Sequence, residues 1–432
     1  MACACTLGVV AGPAAAPSAD QVQELIEQNR RLQEQVRTQQ QTIDALTVKV
    51  GELQKTSERH DRELRGTAGA DATAPALPRA ASREHEVRIA AETGVAFFNT
   101  GSAGQFPKAE FRVDDPVITL ESPVAKNVYF FGELKLQTRE TNSENFALGE
   151  LYVDFENVSG LWGQPGWLNL RAGRLNIPFG EEYLVRTPVA NPLISHSLSD
   201  IWGVDEGVEF YGRVGPAQYV LAVQNGGESQ LHDFNADKAV AGRVSWEPFR
   251  WLHVSGSALR TGRLATVADS LSEVWFANGF FRALGPASRT STFWANLYQA
   301  DARARWATGH VAVALGRGRF DDSDPLLDNS RRLRFGSVEV VQTIAGGLYG
   351  AARFSKISVP GGYPLAGWGS LGTFFFRPTL TDRLRRTSLG LGYRFGPPLV
   401  LKVEYTSESG RTTFGVKRED EDFFGTELGV KF

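Results

Sequence analysis

Near the start of the chain, the seam positions of a helix recur every seven residues. Val22, Asn29, Val36, Ile43 and Val50 form one series, and Leu25, Leu32, Gln39, Leu46 and Leu53 form another. The two interleave with 3,4 spacing from Val22 to Leu53, which predicts a coiled coil over residues 20–65. β-Branched residues fill most a positions and Leu most d positions. At ~1.5 Å per residue the rod would be about 50 Å long. Asn29 and Gln39 put polar groups on the seam, where they lower stability but fix register and strand number. A single amphipathic helix packed on its own domain is the alternative, but the seam is narrow for that and the flanks are polar. The seam therefore predicts self-association. Gln39 at d points to a trimer, while Asn29 at a also fits a dimer.

Residues 66–85 are small, proline-containing and aperiodic, and read as a linker. After Glu86 the helical period gives way to a period of two. "NVYFFGELKLQTR" sets Val128, Phe130, Leu134 and Leu136 against Glu133, Lys135, Gln137 and Arg139. "LGLGYRF" sets Leu389, Leu391, Tyr393 and Phe395 against Gly390, Gly392 and Arg394. "LVLKVEY" sets Leu399, Leu401, Val403 and Tyr405 against Lys402 and Glu404. The chain's ending, "FGTELGVKF", alternates in the same way up to Phe432.

A two-faced strand at a chain's end fits either a soluble sandwich or the last strand of a closed barrel. The rest of residues 86–432 favours the barrel. Charges recur in mid-strand, and an apolar interior of this circumference could not be filled by side chains. An apolar outside around a wet lumen removes that difficulty.

Connections alternate between short and long through the second half. The short ones fall near Pro216, near Pro248, and at 307–309, 345–347 and 396–398. The long ones fall at 178–204, 226–237, 264–289, 320–332, 358–384 and 410–423. Outer-membrane barrels have this rhythm of tight periplasmic turns and longer outer loops. It places the strand-like "SEVWFANGFF" at 272–281 within an outer loop. The count is then about sixteen antiparallel strands, an all-β transmembrane barrel behind an α-helical coiled coil. Phe432 ends the closing strand and serves as its assembly signal.

Composition agrees. The chain has 432 residues, and no run approaches the ~20 apolar residues that a membrane helix needs. Its 46 basic and 49 acidic residues nearly balance, which argues against a nucleic-acid partner. The opening residues 1–19, with Cys3 and Cys5, resemble the end of a secretory signal, cleaved near Ala16 or Ala19, although they lack its positive start. Lipidation at Cys5 is a second option there.

Little else suggests chemistry. No His pairs with Cys or a carboxylate at metal-ligand spacing, so neither a metal nor any other cofactor is expected. His196, beside Ser195 and Ser197, would suit a hydrolase only with an acid to orient it, and none is assignable. It reads instead as a loop histidine near pore water, and the chain as no enzyme. Asp321, Asp322, Asp324 and Asp328 could take a divalent cation, but an acidic solvated loop explains them more simply.

Residues 170–212, "LRAGRLNIPFGEEYLVRTPVANPLISHSLSDIWGVDEGVEFYG", resemble the phosphate-selective porin O and P family. The similar features are a strand ending in Gly-Arg, an Ile-Pro-Phe-Gly turn, a long loop, and a strand opening Gly-Val-Glu-Phe-Tyr-Gly. The resemblance implies a sixteen-stranded trimeric barrel in the outer membrane, with the third outer loop, here 178–204, folded into the lumen as a constriction. Relatives also carry N-terminal coiled coils, here periplasmic. The loop would bring Glu181, Glu182, Arg186 and His196 into a lumen whose wall offers Arg171 and Arg213 at the loop's two ends.

Strand parity adds Lys135, Arg243, Arg303 and Arg305 to the lumen, among cations and anions of interleaved sign. The basic excess is modest. The expectation is a porin that passes small hydrophilic solutes by diffusion, with a mild preference for anions such as phosphate. Two alternatives remain. One is an anchor whose rod tethers the membrane to the cell wall. The other is a barrel sheath around a partner's electron conduit.

Overall fold

The computed structural model describes residues 86–137, 145–226, 236–265, 289–370, 373 and 380–432. The leader, coiled coil and linker expected within 1–85 lie outside the described residues, as do Arg139 and the segment 272–281. Strand alternation becomes a ladder of sixteen long strands. They are β1 (Arg88–Thr100), β2 (Glu110–Ala125), β3 (Val128–Gln137), β4 (Asn145–Phe155), β5 (Asn169–Asn176), β6 (Val204–Val214), β7 (Ala217–Gln224) and β8 (Ala239–Phe249). The second half continues with β9 (Leu252–Arg260), β10 (Thr292–Trp306), β11 (Gly309–Asp322), β12 (Arg331–Ala345), β13 (Leu348–Tyr363), β14 (Thr381–Gly396), β15 (Leu399–Thr412) and β16 (Phe423–Lys431). Two short strands, Leu264–Ala265 and Lys417–Arg418, extend the ladders of β10 and β15 at the loop end.

Every strand is antiparallel to its neighbours, and β16 returns to β1, from Glu92 opposite Lys431 to Thr100 opposite Phe423. The terminal residue is itself in the ladder. Phe432 donates its N–H to Ala91 O at 2.9 Å, and Ala91 donates back to Phe432 O at 3.0 Å. Closure leaves the sheet no open edge.

At one end the strands are joined by pairs such as Lys126–Asn127, Gly215–Pro216, Ala307–Thr308 and Gly346–Gly347. Three of these turns take positive φ, which Asn127, Gly215 and Gly346 supply at 60°, 61° and 54°. The turn expected near Pro248 lies at Arg250–Trp251 instead. Pro248 sits inside β8, where the pairing with β9 shifts register between Trp246 and Phe249. A residue with no N–H is tolerated at such a bulge.

The two faces differ in kind. Outward residues in mid-strand are apolar and exposed, as with Leu315 at 63%, Leu389 at 57% and Phe395 at 60%. Inward positions carry buried charge, as with Lys402 at 2% and Glu404 at 1%. The wet lumen expected from the alternation is only part of the interior, however. Towards the long loops, inward positions of β10–β14 are apolar: Phe293 and Leu297, Phe320, Leu333 and Phe335, Ile357 and Tyr363, and Leu384. They form a core with Phe179 and Ile201, which the connection between β5 and β6 brings inside the barrel. The alternation flags one greasy face; it does not show that towards the loop end this face turns inward, while the outward positions of β11–β14 become cationic at Arg317, Arg334, Lys356 and Arg385.

Candidate functional site

The connection between β5 and β6 folds into the barrel, and the wall charges hold it by its backbone. It leaves β5 through Ile177–Pro178 and first meets β8 and β9. Gly180 donates its N–H to Ser257 Oγ at 3.0 Å, and Arg243 donates to Gly180 O at 2.7 Å. Arg243 also approaches Glu181 at 3.4 Å and donates to the Tyr183 hydroxyl at 3.1 Å. His253 contacts Glu181 at 3.2 Å. Burial works to raise the Glu181 carboxyl, but His253 and Arg243 outweigh it and hold the group below its ordinary value. Burial raises the Tyr183 hydroxyl to about 12, against the pull of Arg243.

The loop then crosses to the wall formed by β12–β16 and β1. Here carboxylates meet its N–H groups and cations meet its carbonyls. Glu92 accepts from Val189 N at 2.7 Å. Glu404 accepts from Ile194 N at 2.5 Å, from Ser195 N at 2.8 Å and from the Ser195 hydroxyl. Arg353 donates to Ser195 O at 2.6 Å while pairing with Glu339, and Arg386 donates to His196 O at 2.9 Å while pairing with Glu408. Lys402 donates to Leu193 O at 2.9 Å and Arg394 to Val189 O at 3.0 Å.

A loop buried within a barrel has no ladder of its own to satisfy its peptide groups, and leaving them bare would cost about 1–3 kcal/mol each. Wall charges answer that need. Inward glycines give the loop room. A Cβ on Gly429 would lie 2.9 Å from Pro188 O, and one on Gly390 would lie 2.5 Å from a Leu193 methyl. The small residues alternating through "LGLGYRF" and "FGTELGVKF" thus have a physical purpose.

Within the loop, Arg186 binds Asp200 at 2.6 Å and His196 Nδ1 at 3.0 Å, and stacks over the Trp202 ring at 4.2 Å. His196 Nε2 faces Arg186 O at 3.2 Å, which sets the proton on that nitrogen. Burial pushes the Asp200 carboxyl up to about 7, opposed by Arg186. Glu182 accepts Ser197 N at 2.7 Å and lies 3.9 Å from Arg353. The Ser195 hydroxyl is spent on Glu404 and Ser388.

The remaining expected residues are divided. Arg171, expected at the start of the loop, is instead the third residue of β5, towards the end away from the loop; it is gripped by Asp154 and Glu209, both at 3.0 Å, and lies 4.2 Å from the Tyr211 ring. Lys135 pairs with Glu133 at 2.8 Å and faces the Trp202 ring. Arg213 does not stand at an end of the loop. It lies beside the Gly215–Pro216 turn, at the far end of β6, with Glu247 3.9 Å away. Arg303 and Arg305 have no carboxylate within 4 Å among the described residues. Arg303 lines a crevice between Glu181–Val185 and the wall at His253, Asp301, Ser337 and Glu339.

Sequence reasoning missed Glu92, Arg386 and Asn191 as loop-holding groups. Parity with Arg88 and with Gly390 places the first two inward, but nothing in the strand pattern names the loop as their partner. Asp322, Asp324 and Asp328 act as loop acceptors, for Asn329, Leu326 and Ser330 among others. No group of metal-ligating side chains occurs among the described residues.

No protein-family model matches the sequence, and no curated protein matches it either. Solved structures do match. OmpT of Vibrio cholerae in a trimer form has a TM-score of 0.52 at 9% identity, covering 81% of this chain and 100% of that one. An anion-selective porin from Comamonas acidovorans gives 0.51 at 10% identity, covering 81% and 99%. Pseudomonas putida OprB gives 0.51 at 12% identity, covering 81% and 94%. At such identities the likeness is one of fold, and the fold is the barrel of the bacterial porins.

Proposed function

We propose that the chain is a bacterial outer-membrane porin, passing small hydrophilic solutes by diffusion through a lumen narrowed by the loop between β5 and β6. The observation that carries this reading is the combination of a closed barrel, an apolar outer face and a loop docked across a charged interior. An apolar outside suits lipid, and a charged inside suits hydrated solutes. OmpT, an outer-membrane protein of Vibrio cholerae, has a trimer form, and the heptads of 20–65 support a trimeric assembly with a periplasmic stalk.

The same reading includes a mild anion preference, of the kind named for the Comamonas protein and implied by the resemblance of 170–212 to the phosphate-selective family. Most lumen cations spend their charge on carboxylates or loop carbonyls, while Arg303 and Arg305 keep theirs for the passage. In a narrow channel, fields are focused and weakly screened, so two free guanidinium groups outweigh many paired ones. Reversal potential under a salt gradient tests this. Arg303→Ala with Arg305→Ala should shift selectivity towards cations, while Arg411→Ala, on the outer face, should leave it alone. Absence of any conductance from folded protein would defeat the channel reading; unchanged selectivity in the double variant would defeat the anion preference.

A further inference from the structure

Above the apolar band on one sector of the barrel, the outward positions change from aliphatic to cationic. On β11 the series runs Val311, Val313, Leu315 and then Arg317; on β12 it runs Val340, Val338, Gly336 and then Arg334. On β13 Phe354 is followed by Lys356, and on β14 Leu389 and Thr387 are followed by Arg385 and Arg383. These positions are neighbours in the ladder. Arg317 is opposite Arg334, Lys356 is opposite Arg385, and Ser358 links Arg334 to Arg383.

Like charges set directly opposite across strands destabilise a sheet, so this arrangement calls for an anion from outside. The protein provides one only beyond the patch, at the rim of β11, where Arg319 pairs with Asp321 at 2.8 Å. Among the described residues, no carboxylate lies within 4 Å of Arg317, Arg334, Lys356, Arg383 or Arg385. A surface kept merely soluble would mix both signs, as Arg260 with Asp237 does on another part of the rim. The cations also sit at one height. They lie on the long-loop side of three to four outward apolar residues per strand, about where a ~25 Å apolar band gives way to headgroups. Arg317 leans over the Tyr298 ring at 5.6 Å, and an interfacial aromatic belongs at the same depth.

We propose that this patch on β11–β14 binds the phosphate groups of anionic lipids in the outer leaflet, acyl chains lying against the apolar band below. The proposal rests on the membrane-spanning reading given above. Guanidinium groups pair with phosphate oxygens in bidentate fashion, so a lipid carrying two phosphates could bridge neighbouring strands. The charge complementarity and the adjoining apolar face together favour a lipid over a free anion or an acidic protein.

The test uses the full-length protein purified in a zwitterionic detergent and titrated with lipid A, which carries two phosphates, with retained lipid counted by native mass spectrometry. Phosphatidylcholine serves as the uncharged control, and single-channel conductance in zwitterionic bilayers is measured on the same samples. Wild-type protein should retain lipid A, lose it as salt rises, and bind phosphatidylcholine weakly. Arg317→Gln with Arg334→Gln, and separately Lys356→Gln with Arg385→Gln, should each weaken lipid A retention by at least about tenfold while conductance stays normal. Two double variants and the wild-type salt series keep the test decisive should one variant fail to fold. Retention of lipid A unaffected by salt and by either variant would overturn the proposal. So would displacement of lipid A by equimolar inorganic phosphate, which would assign the patch to a free anion, or by an equimolar acidic polypeptide, which would assign it to a protein. Loss of conductance with intact lipid binding would instead strike the channel reading alone.

Discussion

Glu404 offers the sharpest test of how the inner loop is held. Its carboxylate is buried in the β15 wall and accepts Ile194 N, Ser195 N and the Ser195 hydroxyl. Ile194 and Ser195 are themselves buried, at 1% and 0% exposure. Truncation in Glu404→Ala would strand two peptide N–H groups away from water, at about 1–3 kcal/mol each. A total of roughly 2–6 kcal/mol would move the docked-to-undocked ratio by a factor of about thirty to more than ten thousand. The loop should then leave its seat for much of the time while the barrel, whose ladder is untouched, stays closed.

Glu404→Gln separates this cause from general damage. Its amide oxygen can still accept both N–H groups, and its NH₂ can donate to the Ser195 and Thr406 hydroxyls, so the effect should be small. Single-channel recordings should show larger and noisier conductance for the Ala variant and near-normal behaviour for Gln. Limited trypsin digestion should cut at Arg186 faster in the Ala variant. If folded Glu404→Ala protein conducts and resists trypsin like wild type, the loop is not held by this carboxylate and the reasoning fails.

Gly429→Val would push a side chain against the Pro188 carbonyl, 2.9 Å from the new Cβ, and overpacking of this kind costs about 1–3 kcal/mol. Thermal unfolding in detergent should show a lower midpoint, and an unchanged one would mean that the loop does not rest on this wall. Asp200 binds its proton more readily in the folded loop, where burial raises it to about 7, than in the unfolded chain. Stability should therefore fall as pH rises from about 4 towards 7. Asp200→Asn should reduce that slope between melts at pH 5 and pH 8, and an unchanged slope would deny Asp200 a share in it. Deleting Phe432 removes two ladder bonds to Ala91 and should reduce the heat-modifiable folded form in outer membranes; equal assembly would deny the residue that role.

Much of this molecule is written locally. The period-two alternation in β3, β14 and β15 determines which side chains point inward. Short Gly, Pro and Asn pairs determine the hairpins, because tight turns need particular φ values. The even strand count and the closing strand follow from the rhythm of connections and from the need to leave no edge in lipid. Parity puts Arg171, Arg243, Glu404 and Lys402 on one face of their strands, the face that meets the inner loop at Arg243, Glu404 and Lys402.

What each inward charge does was decided only in three dimensions. Lys402 and Glu404 look alike to a pattern that records facing, yet one holds a carbonyl of the inner loop and the other two of its amides. Those contacts join residues some two hundred positions apart, and strand periodicity carries no information at that range. Arg303 and Arg305 differ from Arg353 for the same reason, since only the fold brings Glu339 and Ser195 to Arg353. The inner apolar core around Phe179, Phe293 and Tyr363 was equally hidden. These residues alternate with charged ones as in any strand, and only the loop packed on their inner side shows that the apolar face points inward there.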